Sequence, residues 1–122
     1  MRISNQEVVS TSPTPLVVLT TFNSKALWLG HIANYAIQLV FSAASCTFKL
    51  QGSCDAGDAQ GQSQAEYEAK ITNWSDIAGS STAVSTPGNI LYNIQDCGYN
   101  WVRVVITGTA TVTSARINVK GV

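Results

Sequence analysis

The chain has 122 residues, enough for one compact domain and too few for a two-domain enzyme. Its 7 Lys and Arg balance 7 Asp and Glu, and 11% of residues are charged, against roughly a quarter in ordinary soluble domains. That excludes the clustered cations of a nucleic-acid binder or a polybasic membrane anchor, while 45% hydrophobic residues exclude global disorder.

In chain order, the single positive charge of Arg2 is followed by no apolar core, and the first apolar run, 16–19, is too short for a signal peptide. No stretch reaches the apolar length of a membrane-spanning helix, so the expectation is a soluble chain made in the cytosol. Pro13 and Pro15 make 10–15 extended. Strands are predicted at 16–22 and 26–29. In Tyr35, Ile37, Leu39 and Phe41 the large side chains alternate with Ala36, Gln38, Val40 and Ser42, the pattern of a half-buried strand, and Cys46, Phe48 and Leu50 repeat it. The link Ala43-Ala44-Ser45 makes these two runs a predicted hairpin. Residues 55–72 read as a long excursion between strands, with a capping box at Ser63-Gln64-Ala65-Glu66 and spacing for a helical turn or two. A short strand at 83–85 precedes the turn Pro87-Gly88-Asn89, and strands follow at 90–94, 101–107 and 111–119, the last two joined as a second predicted hairpin through Thr107-Gly108-Thr109. Short strands with Gly, Ser and Asn turns indicate an all-β chain: a single-domain antiparallel β-sandwich, jelly-roll-like, of about eight strands with one long loop insertion.

Chemistry-bearing residues are sparse. His31 is the single histidine and has no flanking carboxylate or nucleophile elbow, so a turn or surface role outweighs a catalytic one. Glu66 and Glu68 would share a side if extended, the arrangement that glycoside hydrolysis needs, but they also fit a solvated loop. Asp55, Asp58 and Asp96 lie in loops without the spacing of a calcium loop. Three cysteines, Cys46, Cys54 and Cys97, contain no CxxC pair and fit neither a disulfide framework nor a zinc site. Cys46 reads as a small buried hydrophobe, and Cys54 and Cys97 read as free thiols or a pair. Asn73-Trp74-Ser75 matches a glycosylation sequon in a chain without a secretory signal. Trp28, Trp74 and Trp101 with Tyr35, Tyr67, Tyr92 and Tyr99 would make a sugar-stacking platform if exposed on one face; core packing is the stronger reading for Trp101, whose strand is apolar on both faces. No catalytic residue, cofactor or metal is expected.

Taken in order, Phe48-Lys49-Leu50-Gln51-Gly52-Ser53-Cys54-Asp55, Asn73-Trp74-Ser75-Asp76-Ile77 with Gly79-Ser80-Ser81, Leu91-Tyr92-Asn93-Ile94, and Gly98-Tyr99-Asn100-Trp101-Val102-Arg103-Val104-Val105 resemble a family of small β-sandwich proteins of tailed-bacteriophage virions. The W-x-D-I and W-V-R-V runs are also similar to discoidin-like sandwiches, where they are structural. Within these motifs Trp74 can plug one end of the sandwich, and Arg103 can pair with Asp76 or Asp96 while its stem packs on a ring. The insertion 56–72 departs from the family pattern and is where a virus-specific contact is expected.

The resemblance implies a non-enzymatic virion structural protein, a capsid decoration or cement protein. It would form a homo-oligomer, with a trimer one form, and bind the major capsid protein or other virion proteins through apolar burial and edge-strand pairing. Residues 1–15 would form an extended arm docking on a neighbour, with 16–122 as the β-sandwich domain. Candidate partner contacts are Ile3, Val8 and Val9 in the arm and Tyr67 and Ile71 in the insertion. The alternative from another class is a carbohydrate-binding or host-attachment module taking a surface glycan. Neither reading involves nucleic acid or a membrane, and the expected location is the virion, assembled in the host cytoplasm.

Overall fold

A computed structural model describes residues 3–8, 15–29, 32–55, 71–95 and 98–121. They form nine antiparallel strands: β1 (Ile3–Glu7), β2 (Leu16–Val18), β3 (Thr21–Asn23), β4 (Leu27–Trp28), β5 (Ile32–Ser53), β6 (Ser75–Asp76), β7 (Thr82–Val84), β8 (Gly88–Ile94) and β9 (Trp101–Gly121). β5 and β9, of 22 and 21 residues, are the two long central strands and pair along their whole length. The short strands line them on either side. β1 to β4 run successively along β9, and β6 to β8 along β5. The chain is thus a four-track ribbon whose outer tracks are interrupted.

The ribbon folds over on itself. Phe41 and Phe48 both belong to β5 and would stand roughly 23 Å apart along a straight strand. Their rings instead stack with centroids 5.1 Å apart, so the strand turns a corner between them and the two halves of one sheet become the facing layers of a sandwich. Paired bulges accompany the corner: register passes from Val40↔Ser114 to Phe41↔Val112 to Ala43↔Thr111, which leaves Thr113 and Ser42 as extra residues. Thr113 Oγ1 donates to the Val40 carbonyl and ties the bulge down. Each extra residue shifts the sequence parity while the same physical face stays inside. Burial accordingly passes from Tyr35, Ile37, Leu39 and Phe41 to Cys46, Phe48 and Leu50 on β5, and from Val102, Val104, Ile106, Ala110 and Val112 to Ala115, Ile117 and Val119 on β9.

The predicted hairpins are therefore corrected. Residues 35–50 are one bent strand, as are 101–119. Gly108 sits at the bend with φ of 121°, and a Cβ there would lie 2.6 Å from the Ser45 carbonyl oxygen, so its absence lets β5 and β9 approach at the corner. The arm is corrected too. Residues 3–7 pair with β9 of the same chain, and Val8, 1% exposed, donates its N–H to the Ala115 carbonyl and belongs to the core.

Two buried serines fill the gaps in the outer tracks. Between β3 and β4, Ser24 donates its N–H to the Val104 carbonyl and accepts the Val104 N–H on its hydroxyl. Between β6 and β7, Ser80 Oγ accepts the Leu50 N–H at 3.0 Å and donates to the Ile77 carbonyl at 2.7 Å. Leu50 and Val104 are register partners, so the serines flank one cross-strand pair from opposite sides. Without them the interrupted tracks would leave buried backbone groups unpaired.

Candidate functional site

The motifs that are distant in sequence meet at one end of the sandwich. Gln51, Asp76 and Arg103 are brought side by side because Gln51 is the register partner of both Asp76 on β6 and Arg103 on β9. Arg103 donates from Nε and a terminal nitrogen to Gln51 Oε1, at 2.9 and 2.7 Å, while Gln51 Nε2 donates to Asp76 Oδ1 at 2.9 Å. Lys49 completes the row with an ion pair to Asp76 at 3.1 Å. These donors, Gln51 first, hold the Asp76 carboxyl below its ordinary range. Arg103 does pack on a ring, as expected, with its guanidinium 4.3 Å from the centroid of Trp74. Its link to Asp76 runs through the Gln51 amide, and Asp96 lies outside the described residues.

Behind this row Trp101, Ile71 and Ala26 form a small second core with Trp74 packed against it. Trp28 tilts against Trp101 with ring centroids 4.8 Å apart. The first half of β9 is therefore covered on both faces, as its composition required, and the cover comes from the chain's own residues. Ile71, a candidate partner contact, is buried here and uses its apolar side chain to close the end.

Asp55 fastens the residues that follow Ile71. Its carboxylate accepts the backbone N–H groups of Thr72 and Asn73 at 2.8 and 3.0 Å and the Asn73 side-chain amide at 2.9 Å. Asn73, then Thr72, hold its carboxyl below the ordinary value. Asn100 Nδ2 reaches the carbonyls of Cys54 and Asp55 from the other side. Residues 55 and 72 are thus clamped together, and the Asp55 oxygens are committed to N–H donors.

Tyr99 closes the wall of an adjoining groove of about 560 Å³, lined by Gly52, Cys54, Asn73, Asp76, Ile77 and Tyr99 among others. Its hydroxyl hydrogen-bonds that of buried Tyr35, and its ring lies so close to Gly52 that a Cβ there would sit 3.0 Å from it. A second groove of about 290 Å³ lies at the bend, bordered by Val17, Leu19, Ala43, Ala44 and Ala110 with Ser45, Thr109 and Thr111. Val17 and Leu19 are 59% and 74% exposed. No residue pattern singled out this surface, because its pieces come from β2, β5 and β9 and meet only through the register in which those strands pair.

Of the residues nominated from sequence, Ile3 pairs with Lys120 in β1, Val8 and Ile71 are core, and Val9 and Tyr67 lie outside the described residues, as do His31, Asp58, Glu66, Glu68 and Cys97. The predicted helical turns fall in the same undescribed stretch. Cys46 is buried, which pushes its thiol pKa up, and Cys54 is an exposed free thiol, so its pairing with Cys97 is not formed. Among the proposed stacking residues, Tyr35, Tyr92 and Trp101 are buried, Trp74 has Arg103 over its ring, and Trp28 is 44% exposed.

No family model matches the chain, and no curated protein matches it by sequence. In fold it is similar to the SPBc2 prophage-derived protein YomS, known from a crystal structure, with a TM-score of 0.59 and 10% sequence identity. That likeness covers 97% of this chain and 92% of the other, so it is the whole folded ribbon that the two have in common.

Proposed function

We propose that the protein is a non-enzymatic structural component of a bacteriophage particle and, within the particle, a decoration or cement protein seated on the shell. The observation that carries the reading is the similarity of fold, over 97% of the chain, to a protein of prophage origin. The surface supports it. Large apolar side chains, Val17, Leu19 and Leu91, stand exposed on a chain with 11% charged residues, and such surfaces are stabilised by being covered. At the end of the sandwich the polar side chains are spent on one another: Asp55 on a loop, Asp76 and Arg103 on Gln51. That is the chemistry of a fastened wall.

Purified chain added to empty capsids that lack it is expected to bind saturably at fixed lattice positions, visible by cryo-electron microscopy. Absence of binding, with retention on a glycan array, would favour the second reading, a carbohydrate-binding or host-attachment module. One observation speaks for that alternative: Trp28 is both exposed and braced by Trp101, the arrangement of a stacking platform.

A further inference from the structure

We infer that β8 is a self-complementary sheet edge on which a second copy of this chain pairs in antiparallel fashion, centred on Leu91. As an account of how copies associate within a particle, the inference rests on the reading above; as a statement about the chain in solution it is tested separately.

Edges of sheets carry unpaired N–H and C=O groups, and natural proteins blunt them with very short strands, charges, prolines or bulges. One outer track of this ribbon is blunted by interruption, since β1 to β4 have 5, 3, 3 and 2 residues. β6 and β7, with 2 and 3 residues, are likewise short. β8 is different. Its seven residues, Gly88-Asn89-Ile90-Leu91-Tyr92-Asn93-Ile94, pair without a register shift to β5, contain no charge and no proline, and have no other strand partner among the described residues.

The side chains divide cleanly between the two faces. Tyr92 is buried and Ile90 and Ile94 half-buried on the inner face, while Asn89, Leu91 and Asn93 are exposed on the outer one. Leu91 is 63% exposed, opposite Gln38 on β5. Opposed residues in antiparallel strands point to the same face, so a two-fold pairing must set inner residues against inner and outer against outer. Full overlap of the seven residues meets that condition: Gly88 faces Ile94, Asn89 faces Asn93, Ile90 faces Tyr92, and Leu91 faces itself. The exposed leucine is thus the midpoint of the strand and lies on the two-fold axis. Its copies cover each other, the flanking asparagines meet as amide pairs, and no like charges are opposed. The partner this edge fits best is itself, and the four-track layer would continue across the axis.

The test uses the full chain. Sedimentation equilibrium from micromolar to millimolar concentration is expected to reveal a monomer–dimer equilibrium, and Leu91→Lys, which opposes two ammonium groups at the axis, is expected to weaken it by about tenfold or more. With Cys54 and Cys97 replaced by serine, Leu91→Cys is expected to give a disulfide-linked dimer under mild oxidation, because directly opposed residues have Cα atoms within disulfide range. Asn93→Cys in the same background is expected to remain monomeric, since in this register two copies of position 93 stand roughly 13 Å apart along the strands. A monomer at every concentration, equal cross-linking of the two cysteine variants, or a dimer indifferent to Leu91→Lys would overturn the pairing. Should the wild-type chain stay monomeric yet load onto particles, the pairing fails and the particle reading stands; should the wild-type chain dimerise through Leu91 but bind no particle, the reverse holds.

Discussion

Gly52 and Tyr99 illustrate how much of this fold rests on single atoms. The ring of Tyr99 lies so close to Gly52 that a Cβ there would crowd it at 3.0 Å, and from this position its hydroxyl reaches that of Tyr35. Gly52→Ala is therefore expected to push the ring away, break the hydroxyl contact, and cost about 1–3 kcal/mol as overpacking, measured by chemical denaturation. Gly52→Ala with Tyr99→Leu should recover part of that loss, since the smaller side chain can yield. Asp55 gives a test in pH. Its carboxyl is held below the usual 3.8 by Asn73 and Thr72, so the unfolded chain binds more protons there and the clamp's contribution is present above that pH and lost as pH falls. By NMR, the Thr72 and Asn73 amide resonances are expected to titrate together with a midpoint below 3.8. A midpoint at or above it would mean that the carboxylate is not the acceptor.

At the scale of elements the two long strands are stable because their interrupted neighbours are completed by side chains. Ser24→Ala and Ser80→Ala each leave a buried backbone N–H, of Val104 and of Leu50, without its acceptor. Each is expected to cost about 1–3 kcal/mol. The serines lie three strand spacings apart, roughly 14 Å, so the double variant should be additive to within about 0.5 kcal/mol; strong coupling would mean that the Leu50–Val104 pair itself moves. Alternation along 35–41 and 46–50 was legible in the sequence, as was the change of parity between these two runs and the two-faced apolar character of 101–106. A parity change admits two explanations, a hairpin turn or a bulge in a continuing strand. Ala43-Ala44-Ser45 lacks the Gly, Asn or Asp that a tight turn demands, and that missing turn chemistry was the available sign of a bend. The end cluster was legible only in pieces: Trp101 announced burial on both faces, and Arg103 a ring beneath its stem. That Gln51 would stand between Arg103 and Asp76 depends on strand register, which is set by contacts far apart in sequence.

For the whole molecule, folding a single ribbon across a corner has two consequences. It builds one core from both halves, with Phe41 and Phe48 stacked where they meet, and it leaves β8 as an uncharged edge and the bend as an exposed apolar surface. Both features suit a subunit that is covered when assembled, which is the sense in which the low charge of the chain fits a particle component. The proposal that this chain is a structural part of a phage particle is tested most directly by quantitative mass spectrometry of density-gradient fractions from particle-producing cells that express it. The expected result is that the chain travels with the intact particles at a fixed ratio to the major shell protein, and keeps that ratio after a high-salt wash. Recovery of the chain only as free protein at the top of the gradient would contradict it.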